Sequence, residues 1–208
     1  MARKVFFSYH YERDIWRVNQ VRNSWVTKGS FQEAGYIDKA EFEKLKLRGE
    51  QAVKKWIDEQ LEGTSVTVVL IGAETYQRKW VRYEILKSFD RGNALLAIRI
   101  HNLKDEEGKT DKVGENPFHY VGVEYSSNEL VYAELSTNGV KKFDLLQNPS
   151  IRFPDIVKLL LSIEKFIPIS KVYNYLYDVD IPIYDWKVNY GYDNIGQWVE
   201  NAASAVGK

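Results

Sequence analysis

An α/β fold of the flavodoxin-like class, a mostly parallel sheet flanked by helices, is predicted by three observations. Val5 to Tyr9, Ser65 to Ile71 and Ala94 to Ile100 are near-continuous apolar runs. They lack the polar alternation of a half-exposed strand, so they read as strands covered on both faces. The first two are followed by stretches with apolar residues at helical spacing, and strands alternating with helices imply parallel pairing through right-handed crossovers.

Val5 to Tyr9 is the first strand. Glu12 to Trp25 is a helix carrying Ile15, Val18 and Val21, and Gly29 ends that region. Phe31 to Ile37 is a short mixed segment, and Asp38 suits the N-cap of a charged helix over Lys39 to Leu47. Gly49 breaks the pattern before a helix over Ala52 to Leu61, where Val53, Trp56, Ile57 and Leu61 form the apolar stripe and Gly63 closes the end. After the Ser65 to Ile71 strand comes a helix over Glu74 to Arg91, stopped by Gly92-Asn93, and then the Ala94 to Ile100 strand. Asn102 to Asn116 is charged, contains glycine and lacks apolar periodicity, so a solvent loop long enough to be mobile is expected. Leu130 to Leu135 reads as a strand, Phe153 to Phe166 as an apolar helix, and Asn194 to Val206 as an amphipathic helix. Ile181 to Tyr184 reads as a short edge strand, because Pro182 has no N–H to donate to a ladder.

At 208 residues the chain is long enough for one good-sized domain. The division expected is an α/β core over 1–125 and a C-terminal extension over 126–208 packed on it as one compact unit. Basic and acidic residues balance at 29 each, so no global field draws the chain to nucleic acid or an anionic membrane. There is no cysteine. That excludes disulfides, thiolate zinc sites and a cysteine nucleophile, and fits a reducing compartment, for which cytoplasm is the natural expectation. The apolar run after the basic N-terminus is too brief for a signal peptide or a membrane span.

In open parallel sheets ligands bind beyond the carboxyl ends of the strands. Two segments should meet there: Phe7, Ser8, Tyr9, His10 and Tyr11 after the first strand, and Tyr76 to Glu84 after the Val66 to Ile71 run. On a continuous helix Tyr76, Trp80 and Glu84 share one stripe, beside the core stripe of Val81, Ile85 and Phe89. Spacing alone leaves Glu84 open between a reactive carboxylate and an exposed one paired to Lys79 or Lys87, and Trp80 open between ligand platform and core. Arg13, Arg17 and Arg22 either meet a phosphate or form a solvated helix face. Other motifs fail. Gly108-Lys109-Thr110 lacks the first glycine of a phosphate-binding loop, since Leu103 stands there, and no G-x-G-x-x-G or G-x-S-x-G occurs. His10, His101 and His119 are not at metal-ligand spacing.

Taken together, K-V-F-F-S-Y-H-Y at Lys4 to Tyr11, W-R-V-N-Q-V-R-N at Trp16 to Asn23, V-T-V-V-L-I-G-A-E-T at Val66 to Thr75 and W-V-R-Y-E-I at Trp80 to Ile85 resemble the TIR-like domain family of the Thoeris anti-phage defence protein ThsB. A-I-R-I-H at Ala97 to His101, Y-D-W at Tyr184 to Trp186 and N-I-G-Q-W-V at Asn194 to Val199 extend the resemblance over nearly the whole chain. The resemblance implies a TIR-type domain acting on NAD+ as substrate, with no separate cofactor and no metal. It implies Glu84 as the catalytic residue, in a W-x-x-x-E context, and Phe7, Ser8, Tyr9 and Trp80 as substrate-binding; Arg17 joins that set as the arginine offered to phosphate. It further implies a cyclic ADP-ribose isomer as the product, signalling to the effector ThsA, with self-assembly possible. The R-D-x-x-P-G loop of receptor TIR domains is missing, with Gly35-Tyr36-Ile37 in its place, so receptor-style assembly contacts are not carried over. The competing expectation is a non-enzymatic TIR-like module whose aromatic surface and tail recruit a partner.

Overall fold

The computed structural model describes residues 3–27, 31–35, 39–126, 129–146 and 166–208. Five strands, β1 (Arg3–Ser8), β2 (Phe31–Ala34), β3 (Val66–Ile71), β4 (Ala94–Arg99) and β9 (Ile183–Asp185), form one sheet in the order β2-β1-β3-β4-β9. Every pairing is parallel, with Val5 opposite Val66, Val68 opposite Leu96 and Ile98 opposite Tyr184. This is the flavodoxin-like arrangement expected.

The period of two along each strand assigns its side chains to opposite layers. Val66, Val68 and Leu70 of β3 pack with Val18, Val21 and Trp25 of α1 (Tyr11–Thr27) and with Ile195, Trp198 and Val199 of α6 (Gly191–Ala205). Val69 and Ile71 face the other layer, formed by Val53, Ile57 and Leu61 of α3 (Glu50–Leu61) and Val81, Ile85 and Phe89 of α4 (Lys79–Asp90). The short α2 (Lys39–Leu47) precedes α3.

A second sheet was not expected. β5 (Val121–Ser126), β6 (Glu129–Ser136), β7 (Gly139–Lys142) and β8 (Phe166–Pro168) pair antiparallel in the order β7-β6-β5-β8, followed by α5 (Ile169–Tyr177). Val121, Val123, Tyr132, Val172 and Tyr173 close over the α3–α4 layer. The expected boundary at residue 125 falls inside β5. The tail also returns to the first sheet: β9 is its edge strand, where Pro182 offers only its carbonyl, to Ala97 N at 2.9 Å. Its rings serve packing there, with Tyr184 stacked on Trp198 at 4.0 Å and Trp186 lying against Gly191, where a Cβ would fall 2.3 Å from the indole.

Two local expectations change. The helix expected over Glu74 to Arg91 is two pieces, a 3-10 turn over Thr75–Gln77 and then α4, separated at Arg78 with φ −80° and ψ 120°. Thr75 causes the break: its hydroxyl accepts from Gly72 N at 2.9 Å and donates to Leu70 O at 3.3 Å, tying the segment to the strand end. Tyr76 therefore leaves the stripe of Trp80 and Glu84 and packs on Tyr120 at 4.9 Å. The Asn102 to Asn116 loop is not loosely solvated. Leu103 is buried, Arg13 grips Asp111 with two bonds of 2.9 and 3.1 Å, and Arg99 reaches Gly114 O at 2.6 Å. The Phe153 to Phe166 helix lies outside the described residues except for Phe166, which begins β8, and the Asp38 cap lies outside them as well.

Candidate active site

The strand order reverses direction between β1 and β3, with β2 on one side of β1 and β3 on the other. Beyond their carboxyl ends the chain must leave in opposite senses, and a crevice opens. A cleft of about 240 Å³ lies there. Phe7, Tyr9, His10, Tyr11 and Glu12 line it from the end of β1 and the start of α1. Phe42 and Lys46 of α2 and Val53, Trp56 and Ile57 of α3 form a second wall, and Arg78, Lys79, Trp80, Val81 and Glu84 a third. Gly35 also lines it, at φ +82° and with a hypothetical Cβ only 2.7 Å from Phe7 O, so a larger residue there would displace the floor.

Glu84 is 8% exposed, and the Ser8 hydroxyl donates to its Oε2 at 2.5 Å. The contact is built by topology: Ser8 is the last residue of β1, and Glu84 lies one turn past Trp80 on the helix that follows β3. Burial in a largely apolar cleft disfavours the charged form and pushes the carboxyl up to about 8; the Ser8 hydrogen bond pulls in the opposite direction but is the weaker effect. Carboxyls held this way cluster at functional sites. Burial favours the neutral form of such a group, and a cation beside it would favour the carboxylate.

Trp80 stands edge-on to Tyr83 at 6.1 Å and lines the cleft as a wall. Phe7 and Tyr9 also line it. Ser8 is fully buried and holds Glu84 rather than facing the opening. Arg17 is not brought to the cleft. It is 3% exposed, and its guanidinium donates to Leu103 O at 3.0 Å, Asp105 at 3.1 Å, Lys109 O at 3.2 Å and Asp14 at 3.4 Å. It locks the long loop onto α1. Sequence reasoning missed Phe42 and Trp56 as walls. Trp56 belonged to a stripe already assigned to the core, and Phe42 reaches the site by packing its ring at a tilt on Tyr11 at 4.7 Å, a contact that spacing does not encode.

The family described as Thoeris protein ThsB, TIR-like domain, matches residues 6–105, which include Ser8, Trp80 and Glu84. A Bacillus cereus (strain MSX-D12) protein named as a candidate cyclic ADP-D-ribose synthase, ThsB1, is 40% identical over 200 residues, 96% of this chain and 100% of that protein. Identity at that level across the whole length takes in the second sheet and the returning tail as well as the parallel core, and this chain belongs to the TIR-like ThsB family of Thoeris defence proteins.

Proposed function

We propose that this protein is an NAD+-processing enzyme of anti-phage defence that cleaves the nicotinamide–ribose bond and closes the remaining ADP-ribose into a cyclic isomer. The observation that carries the reading is Glu84, a buried carboxyl held by a single hydroxyl and facing a cleft walled by Phe7, Tyr9, Trp56 and Trp80. The name of the Bacillus cereus relative supports it.

Cleavage releases nicotinamide with the bonding electron pair and leaves an oxocarbenium-like ribose, as in glycoside hydrolysis. The positive pyridinium entering beside Glu84 favours loss of the carboxyl proton, and the resulting carboxylate stabilises charge that develops at the ribose C1′ in a site with little water to screen it. Trp80, Phe7 and Tyr9 pack on the substrate's rings. An internal ribose hydroxyl then attacks C1′ before water does, which requires that the walls hold the substrate folded and the cleft dry. Glu84 is the base at hand for the hydroxyl proton. The cyclic product leaves as a diffusible signal to the effector ThsA, so no docking surface for that effector is required.

Incubating the pure protein with NAD+ and measuring nicotinamide release, with the nucleotide products separated by chromatography, tests the reading. Release by the wild-type protein and its collapse in Glu84→Gln are expected. Equal release by both folded proteins would remove Glu84 from the chemistry.

A further inference from the structure

Besides Glu84, the same cleft is lined by two side chains that carry unpartnered buried nitrogens among the described residues, His10 and Arg78. His10 is 7% exposed, and among the described residues neither ring nitrogen has a hydrogen-bond partner; Glu12 Oε2 lies 3.7 Å from Nε2. Arg78 is anchored through Nη2 to Glu74 at 2.8 Å, but its Nε is buried and has no partner among the described residues. Buried polar groups are almost always hydrogen-bonded, so two left open on one cleft point to a ligand that completes them. The other cations of the lining are already engaged, Lys46 with Glu12 at 2.8 Å and Glu43 at 2.9 Å, and Lys79 with Glu50 at 2.5 Å.

We infer that His10 and Arg78 form an anion subsite that takes the diphosphate of the dinucleotide. The inference rests on the NAD+ reading and adds a direction to it. A guanidinium offers only donors, and an imidazole in reach offers one more, so the group between them must accept. In the dinucleotide the diphosphate is the acceptor-rich, negatively charged part. Ser8, which holds Glu84, is two residues before His10, a chain distance of at most about 7 Å, on the order of one ribose unit. The cleft is therefore polarised: the carboxyl end receives the positively charged nicotinamide riboside, and the His10–Arg78 end the phosphates. Glu12 and Glu74 border this end, but each is bound to a cation, Lys46 and Arg78. Burial, followed by the charge of Arg78, holds the imidazole below its ordinary value, and the neutral ring still donates one N–H.

The test measures binding of ADP-ribose, which keeps the diphosphate but lacks the scissile bond, and of adenosine, which has no phosphate, by calorimetry on wild type, His10→Ala, Arg78→Gln and Arg78→Lys. ADP-ribose binding should weaken about 10- to 100-fold in His10→Ala and Arg78→Gln, with partial recovery in Arg78→Lys and adenosine binding within about twofold of wild type. Because Arg78 precedes α4, the melting temperature of each variant is recorded, and the adenosine arm reports whether the cleft persists. With NAD+, the same variants should raise KM far more than they lower kcat. Parallel loss of both ligands, or ADP-ribose binding unchanged, overturns the subsite. If wild type binds ADP-ribose through these two residues yet releases no nicotinamide, the subsite stands and the enzymatic reading falls.

Discussion

Two buried carboxyls sit on opposite faces of the parallel sheet, Glu84 on α4 and Asp14 on α1, and the chain treats them differently. Asp14 is fully buried beside Arg17 and Arg13, which counter the burial and hold its carboxyl to about 6. Glu84 has one hydroxyl for company among the described residues and, through burial, rises to about 8. Burial of an ion is tolerable when counter-charges and hydrogen bonds replace water, as the Asp14, Arg17, Asp105 and Asp111 cluster does. The α1 face thus uses charge to hold a loop. On the α4 face, among the described residues, the Ser8 hydroxyl accompanies Glu84 and no counter-charge does.

The contrast is broken most severely at Arg17. Arg17→Ala leaves Asp14 and the carbonyl of Leu103 without the Arg17 donor and removes one of the two donors to Lys109 O, and should destabilise the protein by about 3–5 kcal/mol, read from denaturant melts. Where the variant is still folded, KM for NAD+ should stay near the wild-type value. A raised KM at intact fold would return Arg17 to the substrate site. Glu84→Gln should lower the cleavage rate by about two to three powers of ten while behaving oppositely in stability. The folded Glu84 carboxyl is raised from 4.5 to about 8, so the stability it contributes is fully present below pH 4.5 and is lost as pH rises toward 8. The glutamine variant lacks that loss. Its melting temperature relative to wild type should climb from pH 5 to pH 8, and a flat difference across that range in calorimetry would contradict the burial account.

If the carboxylate is the working form, kcat/KM for NAD+ in the wild type should rise with pH up to about 8. Ser8→Ala removes the hydrogen bond that favours ionisation, so the rising limb should move to higher pH, with a loss of about tenfold at pH 7. A profile that stays in place would make Ser8 a packing residue only. The smallest effect belongs to Tyr76, outside the Trp80–Glu84 stripe. Tyr76→Leu loses its ring contact with Tyr120 and should cost about 0.5–1.5 kcal/mol of stability, with kcat and KM unchanged.

The second sheet sharpens the picture of how α4 is held. Arg82 donates to Tyr76 O at 2.9 Å, pairs with Glu134 of β6 at 2.6 Å and lies over the Tyr120 ring at 5.7 Å. Lys141 of β7 closes on the same Glu134 at 2.9 Å. The helix carrying Glu84 is thereby fastened near its start to strands far along the chain. The start of α6, three residues earlier than the sequence pattern suggested, has a similar origin, since Tyr190 enters it with φ +54° and Gly191 accommodates the Trp186 ring.

Local pattern determined a good deal. Runs such as Val66–Ile71 and Ala94–Arg99 bury both faces, and a chain rich in β-branched residues with no polar alternation has few other ways to do so. The stripes of α3 and α4 followed from the helical period, and Glu84 stood at the strand-to-helix step where a parallel sheet opens a crevice. Membership of the family came from motifs whose order survives in the linear text. Tertiary structure alone decided the rest: that Arg17 turns into an ion-pair cluster, that Thr75 breaks the helix and removes Tyr76 from the stripe, and that β5, β6, β7 and β8 close a second layer. It also decided the burial that raises the Glu84 carboxyl above its ordinary value. Periodicity reports which side chains share a face of their own element, whereas desolvation and ion pairing depend on what distant segments bring against that face.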